Sequence, residues 1–61
     1  MIKHNKFDLK VGEWVLLDNF KEPVKILYLT SAQMFATISS DGTDKHKWDV
    51  MTNRLKPKDI I

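Results

Sequence analysis

Apolar positions are densest between residues 24 and 29, in the run Val24-Lys25-Ile26-Leu27-Tyr28-Leu29. Side chains alternate along a strand, so this run divides into two sets. One set is Val24, Ile26 and Tyr28, and the other is Leu27 and Leu29. A strand that is apolar on both sides is typical of a central position covered from two directions. The pattern therefore predicts a central, bent strand.

Four further segments predict short strands, separated by polar and turn-forming residues. These strands are predicted at residues 14–17, 34–39, 45–50 and 55–57. Asp41-Gly42 predicts a hairpin turn before the fourth strand, because glycine accepts the positive φ of a tight turn. Residues 51–54 predict a single tight turn of 3₁₀ type before the last strand. The chain is thus predicted to be all-β with five strands.

One alternative pattern lies in the C-terminal third of the chain. Trp48, Met51 and Leu55 recur at helical spacing, which favours a β-meander followed by a C-terminal helix. Thr52 and Asn53 are poor helix formers, and no fourth apolar residue completes the stripe. The five-stranded fold is therefore the primary prediction, with the C-terminal helix as the alternative.

The order of these elements resembles the SH3-like small β-barrels, which include KOW-like and Tudor-like domains and small phage- or prophage-encoded barrels. The residues that carry the resemblance are Val11-Gly12-Glu13-Trp14-Val15, Asp41-Gly42 and Arg54-Leu55-Lys56-Pro57. The resemblance implies a five-stranded SH3-like barrel over residues 9–58. Residues 1–8 are then an N-terminal arm, and residues 59–61 are a C-terminal tail. These motifs are structural, and the same fold hosts many functions.

Composition narrows the function classes. The chain has 61 residues and no cysteine, so its stability must come from packed apolar residues or from a partner chain. His4 and His46 lack the closely spaced companions of a metal site, so neither a metal nor a cofactor is predicted. No apolar run is long enough for a membrane span or a signal peptide, so we expect a cytoplasmic protein without a membrane partner.

Catalytic signatures are absent from the sequence. The serines lie in no nucleophile elbow, and Gly12 and Gly42 are too far apart to form a glycine-rich phosphate loop. A chain of this length rarely encloses the deep pocket that an enzyme uses. We therefore expect a non-enzymatic binding module with no small-molecule substrate.

A surplus of apolar residues indicates the primary candidate site. One small barrel has a single interior, yet several strands are apolar on both sides. The candidate protein-binding residues are Trp14, Leu16, Leu27, Leu29 and Phe35. Trp14 is the predicted anchor, because tryptophan dominates many interfaces. The expected partner is another protein or a second copy of this chain.

A basic segment indicates the alternative candidate site, for nucleic acid. The formal net charge of +2 permits binding to a polyanion without requiring it. Basic side chains contact phosphates, and an aromatic ring stacks on a base. The candidate residues are Lys45, Lys47, Trp48, Arg54 and Lys56. Lysines also protect a strand edge from pairing with another edge, so nucleic acid ranks second.

Overall fold

Five strands form one antiparallel sheet in the computed structural model, which describes residues 4–58. The strands are β1 (Trp14–Leu17), β2 (Val24–Leu29), β3 (Phe35–Ser39), β4 (Lys47–Met51) and β5 (Leu55–Pro57). Their order across the sheet is β4-β3-β2-β1-β5, which makes β2 the central strand and β4 and β5 the two edges. The predictions of an all-β chain and of a central strand at residues 24–29 are confirmed.

Within residues 4–58, the helical elements are three short 3₁₀ turns, at Ser31–Gln33, Asp44–His46 and Thr52–Arg54. The last of them precedes β5, as predicted. Thr52 is buried there, and its hydroxyl donates to the carbonyl of Gln33 at 2.6 Å. The alternative of a C-terminal helix through residues 48–55 is wrong, because those residues form a strand, a turn and a second strand.

The connection between β3 and β4 is longer than the predicted hairpin turn. Gly42 has the expected positive φ of 79°, but a 3₁₀ turn follows it and β4 begins at Lys47 rather than Lys45. The Asp41 carboxylate accepts hydrogen bonds from the Ser39 hydroxyl at 2.7 Å and from the Thr43 amide at 3.0 Å. These bonds join the loop to the end of β3, and the connection to β4 runs over residues 40–46.

The core lies on one face of the sheet, here called the inner face. Every strand contributes to it, and one residue comes from the segment before β1. Its members are Leu9, Val15, Leu17, Val24, Ile26, Ala36, Ile38, Val50 and Leu55. The alternation of buried and exposed positions along β1 and β3 is the period-2 pattern of strands that are buried on one side.

A β-bulge changes the alternation within β2. Ile26 pairs with Ile38, but the next pair is Tyr28 with Thr37, which leaves Leu27 without an opposite residue. An extra residue shifts every later side chain to the other face. The prediction that Tyr28 shares a side with Val24 and Ile26 is therefore wrong. Tyr28 is 54% exposed, whereas Leu29 packs against the core.

A polar residue attaches the N-terminal arm to the rest of the fold. Asn5 is 2% exposed, and its side-chain amide donates to the Leu9 carbonyl at 2.8 Å and to Gln33 Oε1 at 2.6 Å. The Leu9 amide donates back to Asn5 Oδ1 at 2.9 Å. Phe7, an apolar residue of the arm, is 43% exposed. Residues 1–3 of the arm and the tail at residues 59–61 lie outside the described residues.

Candidate functional site

The outer face of the sheet, opposite the core, carries a row of paired residues across four strands. Trp14 pairs with Lys25, Lys25 pairs with Ser39, and Ser39 pairs with Lys47. The predicted anchor Trp14 is 42% exposed, so the indole is accessible from solvent. This row therefore places one aromatic ring among lysine side chains.

The β3–β4 loop lies against this row and holds one side of the Trp14 ring. A Cβ atom added to Gly42 would lie 3.3 Å from Trp14 Cζ2 and 3.4 Å from Lys25 Cδ. The Thr43 amide donates to Ser39 Oγ at 3.1 Å, and Ser39 is fully buried. Glycine at position 42 thus permits a close approach that any larger residue would disturb.

Asp41 organises this loop electrostatically. The Ser39 hydroxyl is the main group that lowers the pKa of Asp41, to about 2, and the amide and hydroxyl of Thr43 add to the effect. His46 Nε2 lies 3.9 Å from the carboxylate and contributes less. Hydrogen-bond donors stabilise the ionised carboxylate, so the loop is built around a negative charge at neutral pH.

A second group of outer-face residues is apolar. Phe35 pairs directly with Met51, and Tyr28 lies on the neighbouring strand opposite Thr37. Phe35 is 42% exposed and Met51 is 38% exposed. Diagonal neighbours in a sheet lie within reach of aromatic side chains. The register therefore brings Tyr28, Phe35 and Met51 to neighbouring positions on three adjacent strands.

Leu27 lies next to Tyr28 on β2, the strand that pairs with the strand of Trp14. The residue is half-buried, and it belongs neither to the core nor to the residues packed against the core. It follows Lys25 by two positions on β2, and Lys25 is the partner of Trp14. We call the resulting diagonal series the outer stripe. Its members are Trp14, Leu27, Tyr28, Phe35 and Met51.

The structure places three of the five predicted protein-binding residues in the outer stripe. Leu16 is half-buried and pairs with Lys56, on the far side of Trp14 from the rest of the stripe. Leu29 packs against the core and does not reach the outer face. Strand alternation assigned Tyr28 to the wrong face, because no sequence signal marked the bulge. The sequence predicts a turn that begins at Met51, whereas Met51 ends β4.

The predicted nucleic-acid residues of β4 and its preceding turn do not converge. Lys47 is exposed on the outer face, whereas Trp48 packs against the core from the inner face. The Trp48 ring lies 5.6 Å from that of Phe20, tilted by 54°. Lys45 lies in the 3₁₀ turn before β4. The Trp48 indole is thus unsuited to stacking on a base beside Lys47.

Arg54 and Lys56, the other two predicted basic residues, do lie together. They line a shallow cleft of about 260 Å³ whose other walls are Lys6, Phe7, Asp18, Asn53 and Leu55. Arg54 Nε donates to Asp18 Oδ1 at 2.9 Å. The Lys6 ammonium lies 5.9 Å from the centre of the Phe7 ring. Sequence reasoning missed Lys6 and Phe7, because nothing in the pattern joins the arm to β5.

Two kinds of site do not occur between residues 4 and 58. No group of three or more His, Cys, Asp or Glu side chains is arranged to hold a metal ion. In the same span, no helix has the length and the hydrophobicity that crossing a membrane requires.

Comparison with known proteins found no relative. No protein-family model matches the sequence, and neither the curated proteins nor the solved structures include a match.

Proposed function

We propose that this chain is a non-enzymatic binding module that docks a segment of another protein onto the outer stripe. The observation that carries the proposal is that exposed apolar side chains lie on one face of four adjacent strands. They are Trp14, Tyr28, Phe35 and Met51. Single exposed apolar residues are normal on a protein surface, whereas a contiguous group indicates an interaction site. Aromatic residues and methionine, which make up most of the stripe, are enriched in interfaces.

The fold that we propose for this module is an SH3-like barrel. Two features support it beyond the strand count. β1 pairs with both β2 and β5, and a 3₁₀ turn directly precedes β5. These features agree with the element order that carried the resemblance in the sequence. Such a barrel presents a strongly curved outer surface, on which a short segment of a partner can lie.

The charges beside the stripe favour a partner segment that contains acidic as well as apolar side chains. Lys25 and Lys47 lie in the same row as Trp14. Asp49 and Asp41 are the acidic residues that the structure shows beside this row, and their carboxylates already accept hydrogen bonds within the chain. Asp49 accepts the Thr37 hydroxyl at 2.6 Å, and Asp41 accepts the Ser39 hydroxyl at 2.7 Å. Complementary charge directs docking and suppresses unsuitable partners more than it adds affinity.

Selection from a displayed library of random peptides tests this proposal. We expect the selected peptides to combine aromatic and acidic residues. Phe35→Ala and Tyr28→Ala should each weaken their binding at least about tenfold, as expected for central interface residues. Val11→Ala is the matched control, because Val11 is 58% exposed and lies outside the stripe. Peptides that bind equally to the wild type and to both stripe variants would contradict the proposal.

A second candidate function, binding of single-stranded nucleic acid, is favoured by the cleft. Its walls provide three basic side chains, Lys6, Arg54 and Lys56, together with the exposed ring of Phe7. Lysine and arginine contact phosphates, and an aromatic ring stacks on a base without sequence preference. The single acid in the cleft, Asp18, neutralises only Arg54.

Titration with single-stranded and double-stranded oligonucleotides at two salt concentrations tests this second function. We expect binding of the single strand that weakens with salt, because phosphate contacts release counterions. Lys56→Glu should weaken it, whereas Lys45→Glu changes the same charge outside the cleft and should have less effect. The absence of binding at low salt would eliminate this candidate.

A further inference from the structure

The two edges of the sheet differ in the backbone groups that they offer. On β5, the Asp18 amide donates to the Arg54 carbonyl, which makes the odd-numbered residues of β5 face away from β1. Those residues are Leu55 and Pro57. The Leu55 amide already donates to the Thr52 carbonyl, and proline has no N–H group. β5 therefore has no outward donor for a further strand.

β4 presents the opposite situation. The Thr52 amide donates to the Met34 carbonyl at 2.9 Å, so the even-numbered residues in this register direct their backbone groups toward β3. Lys47, Asp49 and Met51 consequently direct theirs away from the sheet. No strand within residues 4–58 pairs with that side of β4. An unpaired strand edge of this kind is a template for another strand.

We propose that two copies of this chain associate by antiparallel pairing of their β4 strands, with Lys47 of each copy opposite Asp49 of the other. This interface goes beyond the proposed docking of a foreign segment. It uses the backbone edge of β4, which shares Met51 with the outer stripe. The second copy is the occupant that the charges of β4 select. A lysine edge normally deters pairing, but here each lysine meets a carboxylate.

The register follows from backbone direction and charge. Only residues that face the shared edge exchange hydrogen bonds, so odd-numbered residues must pair with odd-numbered residues. Placing Asp49 opposite Asp49, or Lys47 opposite Lys47, brings like charges together, which destabilises a cross-strand pair. Placing Asp49 opposite Met51 leaves Lys47 and Asp49 without a residue of opposite charge across the edge. Lys47 opposite Asp49 provides two equivalent ion pairs related by a twofold axis.

The residues on the inner face of β4 are compatible with the same twofold axis. In this register Trp48 of one copy lies opposite Trp48 of the other. Trp48 is half-buried and packs against the core from the edge of the sheet. Pairing would bury more of both indoles and extend the two cores toward each other. Because β5 lacks an outward donor, head-to-tail pairing of β4 with β5 is disfavoured, and the assembly stops at two copies.

An edge of five residues makes a small interface, so the dimer is expected to be weak. Interfaces that bury less than roughly 1,200 Å² are typical of transient complexes. Sedimentation and amide NMR of the full chain at concentrations up to about millimolar cover that range of affinity. We expect the Asp49 amide to shift and to gain protection from exchange as the concentration rises. The Val50 amide, already directed at β3, should not.

Charge reversal and charge exchange test the register. Lys47→Asp and Asp49→Lys should each weaken dimerisation at least about tenfold, because both ion pairs become repulsive. The double variant Lys47→Asp with Asp49→Lys should restore it to within about threefold of the wild type. Lys56→Asp, on β5, is the matched control for net charge and should leave dimerisation unchanged.

Thr37→Val tests whether dimerisation depends on the charge of Asp49 or on its hydrogen bond to Thr37. This variant removes the bond to Asp49 without changing any charge, so it should still dimerise. Failure of the double variant to recover, or a monomer throughout the concentration series, would overturn the proposal. Chains that associate into larger assemblies would also overturn it. The peptide-binding test of the outer stripe changes Tyr28 and Phe35, which lie on β2 and β3, so its result is independent of these outcomes.

Discussion

The inner and outer faces of the sheet are built from adjacent residues of the same strands, yet their apolar side chains have different surroundings. On β3, Ala36 and Ile38 are fully buried, whereas Phe35 is 42% exposed. On β1, Val15 is buried beside an exposed Trp14. On these two strands the aromatic side chain lies outside and the smaller aliphatic ones fill the core. The face to which a side chain points, rather than its hydrophobicity, decides which residues stabilise this fold and which remain available to a partner.

Shortening one side chain on each face of β3 should give the largest difference in the free energy of unfolding. Ile38→Ala removes fully buried methyl groups and should lower the free energy of unfolding by about 2–5 kcal/mol. Phe35→Ala should cost less than about 1 kcal/mol, because its ring is partly solvated already. Denaturant unfolding measures both. Equal losses in the free energy of unfolding would show that the outer face stabilises the fold as much as the core does.

Asn5 is an exception to the rule that the buried residues are apolar, because it is polar and buried. Asn5→Ala leaves the Leu9 amide and carbonyl without these partners and should cost about 1–3 kcal/mol. Asn53, which is exposed in the last 3₁₀ turn, is the matched control, and Asn53→Ala should change stability little. Thermal unfolding followed by circular dichroism compares them. An unaffected Asn5→Ala variant would show that the arm contributes nothing to stability.

The bulge at Leu27 predicts a smaller difference in stability between variants of Tyr28 and Leu29, which are neighbours on β2. Leu29 packs against the core, so Leu29→Ala should cost about 1–2 kcal/mol. Tyr28→Ala should cost less, because Tyr28 is 54% exposed. Chemical unfolding of both variants distinguishes the bulged strand from a regular one. A regular strand, in which Tyr28 shares the side of Ile26, predicts the reverse order.

Acid should loosen the loop that covers part of the outer face. The folded-state pKa of Asp41 is lowered from 3.8 to about 2, so its stabilising contribution is complete above pH 3.8. That contribution is lost as the pH falls through 2. NMR titration of the carboxyl should show the low pKa in the wild type and a higher value in Ser39→Ala. An unchanged pKa in that variant would remove Ser39 as the main cause.

Local patterns predicted much of the fold. The bounds of β1 and β5, the position of β2 and the 3₁₀ turn before β5 depend on runs of a few residues and on turn-forming residues between them. The sequence predicts that β4 begins at Lys45, two residues before its start at Lys47. In the loop before it, Asp41 accepts hydrogen bonds from Ser39 and Thr43. Such side-chain bonds to nearby groups compete with a regular hairpin and are hard to read from composition.

The candidate site was predicted less completely than the fold. Trp14, Leu27 and Phe35 were identified from the apolar surplus, but the membership of the stripe depends on strand register. Tyr28 joins it only because one extra residue on β2 has no partner on β3. Arg54 and Lys56 were identified from charge, whereas their neighbours Lys6 and Phe7 come from the opposite end of the chain. Contacts of that separation leave no periodic signal.

The amino-acid sequence by itself determined that this chain is all-β, that residues 24–29 form its central strand, and that it holds more apolar residues than a single face needs. These properties follow from alternation and turn chemistry within short segments. The tertiary structure alone decided which face each apolar residue occupies after the bulge. It also decided that Asn5 joins the arm to Gln33, and which sheet edge keeps its outward donors. Each of these depends on the pairing of distant segments, where a shift of one residue exchanges the two faces.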